Sequence, residues 1–230
     1  MEYIKGRDLE QLIDDKGKLD IATALRYFRQ ILSAVAFAHQ QRIIHRDIRP
    51  SNILIDSYDN VKITDFGTSK LLGDKPFATT RIGSPPYMAP EQFEGKAVFA
   101  SDIYSCGALF YEMITGFPPL VSANPMEIYK KAKAGDLIPL IRKVPKIKKE
   151  LSWIIMNALN PNLEERYNTI DALIDDLNKL ERRPSEHQSE ISTIKERIDA
   201  RNLREDTLCW NCRKSIPGRD ENCPYCGMEQ

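Results

Sequence analysis

The chain has 230 residues and a mass of 26.4 kDa, with 42% hydrophobic and 29% charged side chains, a balance that excludes a disordered polypeptide. Its 33 basic and 33 acidic residues cancel, which removes the global electrostatic case for nucleic acid or an anionic membrane as partner. No apolar run approaches the ~18–20 residues of a bilayer span, and the start, Met1-Glu2-Tyr3-Ile4-Lys5-Gly6, lacks the segments of a signal peptide, so a cytoplasmic protein is expected.

In chain order, residues 20–41 predict a long helix with Asp20 as N-cap. Leu25, Phe28, Leu32 and Val35 give it one apolar stripe. Residues 53–56 and 61–64 are short β-rich runs, separated by the turn-like Ser57-Tyr58-Asp59-Asn60. Residues 101–115 are apolar nearly all round, the pattern of a buried helix. Gly116 and Pro118-Pro119 end it. Asn124, Pro125 and Gly135 bracket another helix. Asn168 with Asp171 opens a further one, faced by Leu173, Ile174, Leu177 and Leu180. After Arg182 the chain turns polar: 183–207 reads as a linker, with Ile191, Ile194 and Ile198 at helical spacing. No internal repeat is apparent.

The residues that carry chemistry form an ordered series. His45-Arg46-Asp47-Ile48-Arg49-Pro50-Ser51-Asn52 comes first, then Asp65-Phe66-Gly67, then Gly83-Ser84-Pro85-Pro86-Tyr87-Met88-Ala89-Pro90-Glu91. Asp102 in the buried helix and Arg166 complete it. Asp47 and Asn52 share a proline-containing loop that cannot be plain helix, so both can face one cleft. Asp65 precedes a glycine that permits a sharp turn. Two carboxylates and an amide beside cations make an oxygen set suited to Mg²⁺ and phosphate rather than zinc.

From residue 1 to about 182 the sequence resembles the eukaryotic-like (Hanks-type) serine/threonine protein kinase family. His-Arg-Asp-x-x-x-x-Asn looks like its catalytic loop, Asp-Phe-Gly its metal loop and Ala-Pro-Glu the end of its activation segment. The resemblance implies ATP and Mg²⁺ as cofactors and a protein substrate. It implies that Asp47 accepts or orients the proton of the substrate hydroxyl and that Asn52 and Asp65 hold Mg²⁺. Leu54 would lie under adenine, with Glu2 and Ile4 in the hinge. Glu91 would pair with Arg166, Asp102 would bond the catalytic-loop backbone, and His45 would stack with Phe66. Arg46 would meet a phosphate on Thr79 or Thr80, with Thr68 and Ser69 nearer the start of that segment. His39 and His187 are read as ordinary side chains.

Two departures qualify the resemblance. Arg49 stands where these kinases usually carry lysine, and its planar fork is no conservative exchange at a tight site. The sequence also opens at the hinge, so the phosphate-covering loop, the nucleotide-holding lysine and its helix glutamate do not appear in it. The expectation is a truncated start, a disrupted gene or a split kinase with a separately encoded N-lobe, and little activity for the chain alone. Two readings stay open: a serine/threonine kinase, and a non-catalytic pseudokinase or lobe remnant acting as an interaction module.

Of five cysteines, Cys106 lies in the buried helix and reads as packing. Cys209, Cys212, Cys223 and Cys226 form two C-x-x-C pairs ten residues apart, the spacing of a Cys₄ zinc ribbon. Iron is the competing metal. Cys-Pro-Tyr-Cys alone also suits redox chemistry, but the chain offers no helix after it. A docking partner is expected for the ribbon, and its mixed charges show no nucleic-acid footprint. The expected fold is mainly α: a helical kinase C-lobe with short β hairpins over 1–182, a linker over 183–207, and a zinc ribbon over 208–230.

Overall fold

The computed structural model of the chain describes residues 5–66, 70–71, 83–181, 206–217 and 222–229. The chain divides into two compact units, Met1–Glu181 and Arg182–Gln230. Among the described residues no helix is long and apolar enough to cross a membrane.

The first unit is mainly helical. Strand β1 (Gly6–Asp8) leads into α1 (Leu9–Lys16). Asp8 caps that helix by accepting from the Gln11 amide at 2.8 Å, and Leu9, Leu12 and Ile13 are buried. Helix α2 spans Ile21–Gln40, with the Asp20 carboxylate accepting from the Thr23 amide at 2.9 Å. Phe28, Leu32 and Val35 of its stripe are buried, whereas Leu25 is only partly so. Helix α4 (Phe99–Thr115) has all but three of its residues buried, as its all-round apolar sequence predicts. It packs on α2, where the Phe28 and Phe110 rings meet at 4.8 Å. Gly116 ends it in the left-handed conformation, φ 83°. A Cβ there would lie 2.1 Å from the Gly17 carbonyl oxygen, so only glycine allows the two loops to touch.

Short α3 (Pro90–Phe93) precedes α4, and α5 (Pro125–Ala134), α6 (Leu140–Lys143), α7 (Lys149–Ala158) and α8 (Ile170–Glu181) follow it. Asn124 caps α5 and Gly135 closes it at φ 65°. The α8 cap differs from expectation. Thr169, not Asn168, is the capping residue, its hydroxyl accepting from the Ala172 amide at 3.2 Å. Leu173 and Leu177 of α8 are fully buried, and Ile174 and Leu180 pack on the same core.

The strands frame residues 45–52. Strand β2 (Ile43–Ile44) pairs antiparallel with β5 (Lys70–Leu71). Strand β3 (Ile53–Asp56) lies between β1 and β4 (Val61–Ile63), antiparallel to both, with Ile53 opposite Ile63. Asp56 closes the β3–β4 turn by accepting from the Tyr58 and Asn60 amides. Residues 45–52 therefore run from β2 to β3, and β4 delivers Thr64, Asp65 and Phe66.

In the second unit, β6 (Asp206–Leu208) pairs antiparallel with β7 (Ser215–Pro217), and Asn222 bridges to Glu229. Two knuckles repeat one hydrogen-bond pattern. Cys209 N donates to Lys214 O and Arg213 N to Cys209 O, and Cys223 N donates to Met228 O and Gly227 N to Cys223 O. Arg213 and Gly227 hold matching left-handed conformations, φ 56° and 73°. The repeat lies in the backbone, so inspection of side-chain identities misses it.

Candidate active site

The segment 45–52 is hung from one buried carboxylate. Asp102, fully buried on α4, accepts from Arg46 N at 2.9 Å through Oδ1 and from His45 N at 2.9 Å through Oδ2. The same Oδ2 lies 2.8 Å from His39 Nε2. His39 is therefore not the ordinary side chain expected: it closes the loop's anchor from α2. Arg46, at φ 73°, takes a conformation unfavourable for a bulky residue. Gln92 Nε2 donates to its carbonyl at 2.9 Å, while Gln92 Oε1 accepts from Ala89 N. Burial lowers the pKa of the Arg46 guanidinium below its usual value.

His45 is buried, and its Nε2 sits 2.8 Å from Thr64 O. A carbonyl only accepts, so Nε2 carries the proton and Nδ1 can accept from Asp47 N at 3.3 Å. The His45 ring meets Phe66 edge-on at 4.7 Å. Asp65 itself turns the backbone in the left-handed region, φ 60°; Gly67, of which the sharp turn is expected, lies outside the described residues.

Asp47, Asn52, Arg49 and Ser84 form one bonded group. Asp47 Oδ1 accepts from both the amide (3.0 Å) and the hydroxyl (2.9 Å) of Ser84. Asn52 Nδ2 donates to Asp47 O at 2.7 Å and to Asp47 Oδ2 at 3.1 Å. Arg49 Nη1 donates to the Ser84 hydroxyl at 2.9 Å, and its Nη2 lies 3.6 Å from Glu10 Oε1. Ser84 reaches Asp47 because of Gly83. At φ 132°, a Cβ on Gly83 would meet Arg46 O at 2.8 Å and Met88 Cγ at 2.9 Å. Leu54 is half-buried, with the neighbouring Ile53 and Ile55 facing the core on the opposite side of β3. Glu2, Ile4, Thr68, Ser69, Thr79 and Thr80 lie outside the described residues.

Behind this group stand two further buried contacts. Glu91 and Arg166 form a two-pronged ion pair at 2.7 and 3.2 Å. Ser101 donates to Glu91, and Ala100 O and Asn160 O accept from Arg166. Tyr87 donates to Glu112 Oε2 at 2.6 Å. Burial pushes the Glu112 carboxyl up to about 7 and raises the Tyr87 phenol too. Sequence reasoning missed Ser84, Gln92, Glu112 and His39 as members of this neighbourhood.

In the second unit the sulfurs of Cys209, Cys212, Cys223 and Cys226 all lie within 4.8 Å of one another. Cys209–Cys226 and Cys212–Cys223 are each 3.6 Å apart. Tetrahedral coordination at ~2.3 Å sets adjacent sulfurs ~3.8 Å apart, so the cluster has the size of a metal site. The Cys212 amide, donating at 3.4 Å, lowers the Cys209 thiol to about 6, and the Met228 amide lowers Cys226. Cys106 is fully buried and its thiol is pushed up by burial.

Comparison with known proteins agrees with this geometry. The protein kinase domain family matches residues 1–178. The serine/threonine-protein kinase PknB of Mycolicibacterium smegmatis is 34% identical over 182 residues, which is 77% of this chain and 29% of that protein. A probable serine/threonine-protein kinase of Clostridium acetobutylicum is 35% identical over 183 residues, 78% of this chain and 28% of the relative. An SNF1-related protein kinase catalytic subunit of Arabidopsis thaliana is 42% identical over 136 residues, 59% of this chain and 28% of the relative. The chain thus spans less than a third of the length of these curated relatives. With its family match and its similarity to these kinases, the chain belongs to the protein kinase domain family.

Proposed function

We propose that the chain carries the catalytic loop and metal loop of a protein serine/threonine kinase, which transfers the γ-phosphoryl group of ATP to serine or threonine hydroxyls of a protein. The observation that carries this reading is the bonding of Asp47. Its Oδ1 takes two hydrogen bonds from Ser84, whereas Oδ2 takes one, from Asn52. A carboxylate oxygen has two acceptor positions, so Oδ2 keeps one for a substrate hydroxyl. The proton of that hydroxyl passes to Oδ2 as its oxygen bonds to the γ-phosphorus and the bond to ADP breaks. Ser84 and Asn52 hold the carboxylate in place for this step. Arg49, tied to the Ser84 hydroxyl, keeps positive charge beside the transferred group.

Asn52 and Asp65 fit Mg²⁺. Asn52 spends Nδ2 on Asp47, and its Oδ1 makes no hydrogen bond among the described residues; Asp65 is exposed at the end of β4. Both offer the oxygen ligands this ion takes, and bound there it would neutralise charge on the phosphates. Leu54, with Glu2 and Ile4, would bound the adenine, and phosphate on Thr79 or Thr80 would pair with Arg46. The four thiolates would hold one Zn²⁺, whose closed coordination supplies folding energy rather than chemistry. Thiolates kept reduced suit a cytoplasmic setting.

The test is transfer of labelled phosphate from Mg-ATP to a generic acceptor protein by the intact protein, followed by phosphoamino-acid analysis. Label on serine or threonine is expected. Nucleotide binding with no transfer to any acceptor would favour the interaction-module reading.

A further inference from the structure

Helix α4 ends at Gly116, and the chain beyond it walls a groove of about 350 Å³ that the catalytic group does not use. Tyr111, Phe117, Val121 and Ile138 line its apolar part, and Lys18 and Lys143 are the charged residues that line it. Phe117 is 71% exposed, Val121 66% and Ile138 48%. Large apolar side chains gathered in one concave surface mark a binding surface more than a scatter of single exposed residues does.

The groove is preformed. Tyr111 donates its hydroxyl hydrogen to Ile138 O at 3.1 Å, fixing the floor to the opposite wall. Leu19 N donates to Met113 O at 2.7 Å, and the Gly17 carbonyl packs against Gly116. Pro118 and Pro119 fix the backbone between Phe117 and Val121. These contacts hold the walls of the groove in place without a ligand, which lowers the ordering cost of binding.

Its charge is one-signed. Lys18 and Lys143 are exposed, and neither has an ion-pair partner among the described residues. Arg142, Lys146, Lys148 and Lys149 add to the same stretch, in which no acidic residue stands between Leu140 and Lys149. In a chain of zero net charge this stretch is locally cationic, and two lysines, Lys18 and Lys143, line the apolar groove itself. We propose that the groove docks a carboxylate-rich apolar peptide segment of a protein partner. Phe117 and Val121 pack on its apolar side chains, and Lys18 and Lys143 pair with its carboxylates. The concavity favours a peptide over a membrane surface, to which a protruding apolar element would be presented.

The test needs no nucleotide, so it stands or falls separately from phosphoryl transfer. Fluorescence anisotropy of the full chain is measured with labelled peptides in which leucine and phenylalanine alternate with glutamate, and with the same peptides carrying lysine for glutamate. The acidic peptides are expected to bind, more weakly as salt rises, and the basic ones not. Phe117→Ser and the Lys18→Glu/Lys143→Glu pair should each weaken binding by ~10-fold or more, and the charge-reversed pair should begin to accept the basic peptides. All three side chains are at the surface, and unchanged circular dichroism would establish that the variants fold. Failure of every acidic peptide to bind, equal binding of both peptide sets, or variants that bind like the parent would overturn the proposal. So would binding of phosphatidylserine vesicles that the same substitutions abolish while no peptide binds.

Discussion

Helix α4 and the cysteine knuckles show two ways for a chain to hold a shape. Helix α4 is enclosed by α2, α7 and the segment before α3, and its burial contributes to one core running through residues 9–177. In the knuckles, the buried residues among those described are Cys209 and Cys223, with Cys212 packed against them. Leu208, Trp210 and Tyr225 are more than half exposed. The first unit can keep the Asp47 and Asp102 carboxylates in place because apolar burial stabilises their surroundings. Among its described residues the second unit shows no such reserve, so a metal held by the four cysteines would have to serve as its core.

The largest expected effect follows from that difference. Chelation, or Cys212→Ser, should unfold residues 206–229 and leave the melting of residues 5–181 unchanged. Metal binding contributes ~10–16 kcal/mol in zinc-finger peptides, far more than this small unit can replace. Elemental analysis should give one zinc per chain; iron would keep the fold and change the metal. Next is the buried ion pair. Arg166→Ala leaves Glu91 buried without its counter-ion and should cost ~3–5 kcal/mol, read as a lower urea midpoint for the first unit. The paired change Glu91→Met/Arg166→Leu should recover much of that loss.

A smaller effect concerns Glu112. Its folded pKa of about 7 lies above its usual 4.5 because the group is buried. The folded chain thus holds this proton more tightly than the unfolded one. The contribution is fully present below about 4.5, and it is lost as the pH rises through about 7. Glu112→Gln keeps an acceptor for Tyr87 and carries no charge. It should be more stable than the parent by ~1–3 kcal/mol above neutrality, and equal to it in acid. A pH-independent difference would assign the effect to packing. The smallest is Thr169→Ala, expected to cost ~1 kcal/mol through loss of the α8 cap, with Asn168→Ala nearly neutral.

Much of the core was legible because it depends on local pattern. Phe28, Leu32 and Val35 recur at helical spacing, and the all-round apolar run of α4 announces burial. The Asp20, Asn124 and Gly135 boundaries follow from capping chemistry. Helix α1 escaped because eight residues carry too little periodicity, and β2 and β5 because two-residue strands carry none. The cysteine cluster was legible from spacing alone. In the candidate site, the motifs single out Asp47 and Asn52, which the fold bonds together, and they pair Glu91 with Arg166. Ser84 was not legible, since 37 residues separate it from Asp47 and only the tertiary fold joins them. His39 was hidden for the same reason: nothing local to α2 reveals that Asp102 lies beside it.

Asp47 is proposed to take the acceptor proton while Ser84 and Asn52 hold its carboxylate in place. The most direct measurement is single-turnover phosphoryl transfer by the intact protein and its Asp47→Asn variant, with nucleotide affinity measured in parallel. Mg-ATP binding should be unchanged and the rate lowered by ~10²–10⁴-fold, the usual contribution of a general base. Transfer at the parent rate in Asp47→Asn would contradict that role of Asp47.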